Sequence, residues 1–180
     1  MVYCFLADGF EELEAIAPVD MLKRAGIDVI TVGVTGKNVT GSHSITLVAD
    51  ITSDELELTD DIEAIILPGG MPGTLNLENS EIVQKSIDFA VASDKLVCAI
   101  CAAPSILGHK GLLDGKRATA FPGFEKDLEG AVVSDKYVCR DGKFITARGA
   151  GVAVKFGLEI VSALVSKEKS EEIEKTIQSL

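Results

Sequence analysis

Short apolar runs alternate with longer stretches of helical spacing along this chain. VYCFLA (2–7) is wholly apolar and ends at Asp8-Gly9, as a buried strand does. EELEAIAPVDMLKRAG follows, with Leu13, Ile16, Val19 and Leu22 at helical spacing. Pro18 falls inside it and is expected to open a second helical piece, at the first position, where no N–H is needed. Gly26 is the expected stop. IDVITVGV (27–34) reads as the next strand. A turn-rich segment to about Asp60 reads as short antiparallel strands and a connector. IEAIILPGG (62–70) reads as a strand running into a glycine-rich loop. SEIVQKSIDFAVAS predicts a helix with Ser80 as N-cap. KLVCAIC predicts a strand, and AAPSILGHKG a helix that starts directly after Cys101. RATAF, a short helical FEKDLEG, AVVSD and a hairpin in YVCRDGKFITA come next, its turn at Asp141-Gly142. After RGAG, VAVKFGLEIVSALVS and EKSEEIEKTIQSL predict the last two helices.

Apolar strands alternating with helices predict an α/β fold: a doubly wound, mostly parallel sheet with helices on both faces. With 180 residues, no linker and no internal repeat, a single domain over 1–180 is expected. Ligands in such folds sit at the carboxyl ends of the strands. Three segments fall there: DGFEE (8–12), PGGMPG (68–73) and ICAAP (100–104).

Composition narrows the classes. No apolar run is long enough to span a bilayer, and MVYCFLADGFEE carries acids where a secretory leader would stay apolar. A cytoplasmic protein is expected. The net charge of −11, without a Lys/Arg run, argues against nucleic acid or a membrane as partner. Four cysteines and two histidines lack the paired spacings of a zinc site, so no metal is expected.

Cys98 and Cys101 form a C-x-x-C. Along a strand, residues three apart are separated by about 10 Å, whereas a disulfide needs Cα atoms within roughly 7 Å. Cys98 lies inside the strand and reads as a small buried hydrophobe, as do Cys4 and Cys139. Cys101 closes a strand and opens a helix, where backbone N–H groups favour a thiolate. The N–H of Ala102 is then free to bind an oxyanion, the logic of a nucleophile elbow. Spacing alone leaves a core cysteine as an equal alternative. PGGMPG could bring further N–H donors to a ligand or be a plain tight turn; it is neither a dinucleotide fingerprint nor a Walker loop. Glu11, Glu12 and Glu14 suit a helix N-terminus, and one of them could also face the cleft.

With DGFEELEAIAPVDMLKRAGIDV, ILPGGMPGTLNL, VCAICAAPSIL and RGAG in this order, the chain resembles the DJ-one/ThiJ/PfpI superfamily, nearest its deglycase-like DJ-one/ThiJ branch. The resemblance implies a flavodoxin-like fold of the class I glutamine amidotransferase kind, a homodimer and no cofactor. It makes Cys101 the nucleophile and Glu14 its carboxyl partner, with Gly70 and Ala102 as backbone donors. It places Arg24 and Arg148 near the site and brings His43 toward the partner subunit's site. The implied activity is glyoxalase or deglycase chemistry on small reactive carbonyls or glycated adducts. The rival is a redox-sensing chaperone in which Cys101 is oxidised to a sulfinic acid; an inert ligand-binding domain is a third reading. Two departures matter. Ala102 stands where the protease-like branch carries a histidine, which argues against a peptidase. Phe121 stands where the DJ-one branch carries its catalytic histidine, and Phe121 cannot move a proton.

Overall fold

The structure is a computed structural model, and it describes residues 1–179. In chain order the strands are β1 (Val2–Leu6), β2 (Val29–Gly33), β3 (Asn38–Thr40), β4 (Thr46–Val48), β5 (Ile51–Thr52), β6 (Ala64–Leu67), β7 (Leu96–Ile100), β8 (Arg117–Ala118), β9 (Val132–Val133), β10 (Val138–Asp141) and β11 (Phe144–Ala147). The α-helices are α1 (Glu12–Arg24), α2 (Gly73–Glu78), α3 (Glu81–Ala92), α4 (Pro104–His109), α5 (Ala153–Leu164) and α6 (Lys167–Thr176). Seven strands form the main sheet in the order β10-β11-β7-β6-β1-β2-β5. All its pairings are parallel except β10 with β11. The hairpin β3–β4 and the pair β8–β9 stand apart.

Alternation along the strands divides the core in two. Val2, Cys4 and Leu6 of β1 face one side with Ile66, Cys98 and Ile100, and α1, α5 and α6 cover them through Met21, Leu22, Phe156, Ile160 and Ile173. Tyr3 and Phe5 face the other side with Ile65, Leu67 and Val97, under Leu77 of α2, Val83 and Ile87 of α3, and Ile106 of α4. A sheet covered on both faces needs apolar residues at successive positions, which is why VYCFL, AIIL and LVCAI read as unbroken runs. No α-helix is long and apolar enough to cross a membrane among the described residues.

Several details depart from expectation. Pro18 does not open a second helix; α1 runs through it unbroken. A proline inside a helix costs about 3 kcal/mol, so tertiary packing has to hold it. That packing is α1 against α5 across Gly157: a Cβ there would fall 2.7 Å from Pro18 Cα. The expected apolar stripe of α1 is also rotated. Leu13 and Ile16 are exposed, while Glu12, Glu14, Ala15, Pro18, Met21 and Leu22 are buried. The short α2 gave no periodic signal, since it spans six residues and begins in a Gly-Pro-rich loop. Ser80 occupies the N-cap of α3, but its side chain makes no capping hydrogen bond. Asp141 pairs with Phe144, so the hairpin turn is Gly142-Lys143 rather than Asp141-Gly142. Helix α4 starts at Pro104, two residues later than expected, because residues 101–103 form a turn first.

The α1–α5 contact sets one expectation. Gly157→Ala must push two backbones apart, and overpacking of this kind costs about 1–3 kcal/mol. Urea unfolding monitored by circular dichroism should show a lowered midpoint with an unchanged slope; an unaltered midpoint would mean that the contact is looser than described.

Candidate functional site

Cys101 follows directly on β7. Its φ is +66°, a left-handed value that non-glycine residues rarely adopt. Two backbone hydrogen bonds hold the residue there. Its own N–H donates to the Ala147 carbonyl at 2.8 Å, and its carbonyl accepts from the Phe121 N–H at 2.8 Å. The elbow thus turns the half-buried thiol out of the strand line and away from Cys98, which is fully buried in β7. All four cysteines are free thiols. Burial raises Cys4 to about 12 and raises Cys98 further, so both are inert packing.

Glu14, in the first turn of α1, points back over the strand ends and is 1% exposed. Its Oε2 accepts the Gly69 N–H at 2.9 Å. The Glu14 carboxyl is also met by the Ala150 N–H and shares a hydrogen bond with the Cys101 thiol. Gly69 makes this meeting possible. A Cβ at that position would lie 2.6 Å from Cys101 Cβ and 2.7 Å from Glu14 Oε2. The backbone N–H groups of Gly70 and Ala102 also face the thiol and favour its ionised form.

These contacts set the charges. Burial raises the Glu14 carboxyl to about 7, against the hydrogen bonds from Cys101, Gly69 and Ala150 that favour its ionised form. Burial also pushes the Cys101 thiol up to about 12, helped by the Glu14 charge and opposed by the Gly70 and Ala102 N–H groups. Two anions cannot occupy this space together, so near neutral pH the pair holds one proton between them. In one tautomer the thiolate accepts from a neutral carboxyl and the two amides.

The other sequence-derived candidates are placed as follows. Phe121 is half exposed, and its ring packs 3.2 Å from where a Gly149 Cβ would stand. Arg148 lies on the same side, its guanidinium 5.3 Å from the centroid of the Tyr137 ring. Both line a cleft of about 550 Å³ whose Gly149–Ala150 wall adjoins Glu14. Arg24 is not brought to the site within this subunit. It ends α1, ten residues and about 15 Å of helix beyond Glu14, and pairs with Asp20 at 2.9 Å. His43 is also held away from Cys101. Its Nδ1 lies 2.8 Å from Glu12 Oε2 and 3.4 Å from Glu11 Oε2. The hydrogen bond to Glu12 raises the imidazole pKa, which favours the ring as the cation beside the buried Glu12 carboxylate. Glu11, Glu12 and His43 are the one group of metal-ligand type whose atoms gather within 4.8 Å among the described residues, and the His43 proton serves their charge balance. Gly69 and Ala150 were missed as site residues. The Gly-Gly after β6 was a signal for the first; nothing local marked the second.

A scan of family models matches residues 1–163 to the DJ-1/PfpI family. The chain belongs to the DJ-1/PfpI family. It is 37% identical over 173 residues to protein dj-1beta of Drosophila melanogaster, covering 94% of this chain and 92% of that one. It is 32% identical over 163 residues to a protein of Pyrococcus abyssi named as a deglycase, covering 88% and 95%. Its fold is similar to the structure of oxidized Toxoplasma gondii DJ-1, with a TM-score of 0.92 and 31% identity over 98% of this chain and 97% of that one. The family and the mostly parallel sheet with helices on both faces stand as the resemblance implied.

Two measurements address the proton pair. A carboxyl raised from 4.5 to about 7 favours the folded chain least when ionised. Its contribution is complete below about pH 4.5 and is lost as pH rises through 7, a cost of roughly 3 kcal/mol. Glu14→Gln cannot ionise. Its melting temperature, compared with that of wild type, should therefore gain several degrees between pH 5 and pH 8; parallel curves would contradict a buried, ionising Glu14. Cys101 alkylation by iodoacetamide, read by mass spectrometry, should level off above about pH 7 in wild type, where the carboxyl gives up its proton and its charge opposes further thiolate. In Glu14→Gln alkylation should keep rising with pH past that point, since no carboxylate charge then opposes the thiolate. Identical profiles would show that the two groups do not share a proton.

Proposed function

We propose that the chain is a cofactor-independent enzyme that uses Cys101 to convert small 2-oxoaldehydes to hydroxy acids, with related action on early glycated adducts. The observation that carries this reading is a thiol and a buried carboxyl sharing one proton beside two amide donors. The resemblance to a protein named as a deglycase supports the substrate class.

The steps follow from the residues. The Cys101 thiolate adds to the aldehyde carbon and forms a hemithioacetal. The Gly70 and Ala102 N–H groups bind the oxygen as it becomes negative. Glu14, having passed the shared proton to that oxygen, removes the proton from the same carbon and returns it to the neighbouring keto carbon, giving a thioester of the 2-hydroxy acid. Water cleaves the thioester and frees Cys101. One carbon is oxidised and its neighbour is reduced, so no external oxidant enters. A carboxyl with a pKa near 7 suits both halves of the proton transfer at neutral pH. Phe121 leaves no imidazole at its position, and Glu14 alone carries the proton.

A homodimer belongs to the same reading. Leu13 and Ile16 of α1 and Ile45 and Val48 of the hairpin are exposed apolar residues. They lie beside His43, which the resemblance brings toward the partner subunit's site, and would form the apolar part of that contact.

A second reading, redox sensing, is favoured by the half-buried thiol and by the likeness to an oxidized DJ-1 structure. Peroxide would supply two oxygens to Cys101, and neutral Glu14 would donate a hydrogen bond to the sulfinate. The two readings separate cleanly. With methylglyoxal, wild type should form lactate and Cys101→Ala should lose at least roughly a thousandfold in rate. Equal rates would end the enzyme reading. An intact-mass gain of about 32 Da after mild peroxide, with no lactate formed, would establish the sensor.

A further inference from the structure

The cleft next to the Cys101–Glu14 pair holds one cation that makes no close ion pair among the described residues, Arg148, although its charge is felt by the exposed Glu125 carboxylate. Arg24 and Arg117 each hold a carboxylate, those of Asp20 and Asp141. Arg148 forms no ion pair among the described residues. Its Nε donates to Thr119 Oγ1 at 3.4 Å, and its plane rests on the Tyr137 ring. Its own N–H is fixed to the Tyr137 carbonyl at 2.9 Å. Its four Nη–H donors have no protein partner among the described residues. A guanidinium clamped at one edge and open at the other has the donor geometry that suits a carboxylate.

Position matters as much as charge. Arg148 follows Ala147, whose carbonyl binds the Cys101 N–H, so the two residues sit at neighbouring strand ends. Adjacent strands lie about 4.8 Å apart. Gly149 and Ala150 continue the same wall to Glu14. The space is also larger than the smallest oxoaldehyde needs. Methylglyoxal has five heavy atoms, roughly 150 Å³ at about 30 Å³ for each water-sized group. The cleft offers about 550 Å³ along Phe121, Tyr137 and Arg148, beside the Cys101–Glu14 pair rather than over it. In a chain of net charge −11, an unpaired arginine on this wall is a local exception to the prevailing field.

We propose that Arg148 is an anion-binding subsite and that the carbonyl compounds taken by this site carry a carboxylate. The proposal rests on the oxoaldehyde reading above and specifies its substrate class. The thiolate would add to the aldehyde carbon while the substrate carboxylate, a few methylenes away, docks on the Arg148 Nη donors. Phe121 and Tyr137 would flank the methylenes. For 4,5-dioxopentanoate, addition of one water gives 2-hydroxyglutarate. The aldehyde carbon ends as a carboxylate, the keto carbon as an alcohol, and no other reactant is consumed.

The test compares 4,5-dioxopentanoate with 2-oxohexanal, a neutral oxoaldehyde of similar length. In wild type, kcat/KM should favour the carboxylate by roughly ten- to a hundredfold, the range of a charge-assisted contact. In Arg148→Gln that ratio should fall to about one, and Arg148→Lys should retain part of it. A wild-type ratio near one, or a ratio that survives in Arg148→Gln, overturns the proposal. A second measurement needs no turnover. Pentanoate should slow iodoacetamide alkylation of Cys101 in wild type but not in Arg148→Gln. Absence of protection in wild type, or equal protection in both, also overturns it. If neither oxoaldehyde is consumed, the carbonyl reading fails on its own, and the pentanoate measurement alone decides whether Arg148 binds the anion. Arg148→Lys serves in that measurement if Arg148→Gln does not fold: partial protection supports the subsite, and full protection equal to wild type overturns it.

Discussion

Glu14 is a carboxyl with no room for its charge while Cys101 is also ionised. That exclusion organises the site. The carboxyl is almost fully buried, it is met by the Gly69 and Ala150 amides, and it shares a hydrogen bond with the thiol. Each amide favours the carboxylate, burial opposes it, and burial is the larger influence. On the thiol the same contest runs with Gly70 and Ala102 against burial and the neighbouring charge. A single proton between two unwilling anions is the state that satisfies both sets of contacts.

The fold exists around this pair in a direct sense. Parallel strands β6, β7 and β11 deliver Gly69, Cys101 and Gly149–Ala150 to one end of the sheet, each at or just past its strand's last residue. Only α1 crosses from outside the strands to supply Glu14, so the placement of α1 decides whether the pair forms. That placement depends on Gly157 of α5, which lets the Pro18 turn approach at backbone distance. A helix with an internal proline and two buried glutamates is poor by local rules. It persists because α5 and the sheet hold it, and its polar buried face is the face the site uses.

The sheet was legible because burial on both faces writes itself as unbroken apolar runs. Cys101 was legible as the residue between a strand and a helix, and the fixed rise of an extended strand is enough to separate it from Cys98. The rotation of α1 was not. Leu13 and Ile16 fit a helical stripe, yet the core side of α1 carries Glu12 and Glu14, whose burial is supported by partners distant in sequence: His43 for one, Gly69 and Cys101 for the other. Long-range compensation leaves no local mark. Ala150 escaped notice for the same reason, since it contributes a backbone N–H and nothing in its side chain advertises that. Arg24 was placed by the resemblance alone, and within one subunit a helix of thirteen residues puts it far from Glu14.

Phe121 sharpens what the remaining residues have to do. Its N–H anchors the elbow through the Cys101 carbonyl, so its backbone is part of the site although its side chain cannot titrate. With an apolar ring at that position, Glu14 is, among the described residues, the only group in contact with the thiol that can change protonation near neutral pH. A mechanism with separate acid and base is then unavailable to this subunit, and one that returns a proton to the substrate it came from is favoured. Internal redox of an oxoaldehyde is such a reaction: the proton leaves one carbon and arrives at the next, and the carboxyl ends as it began.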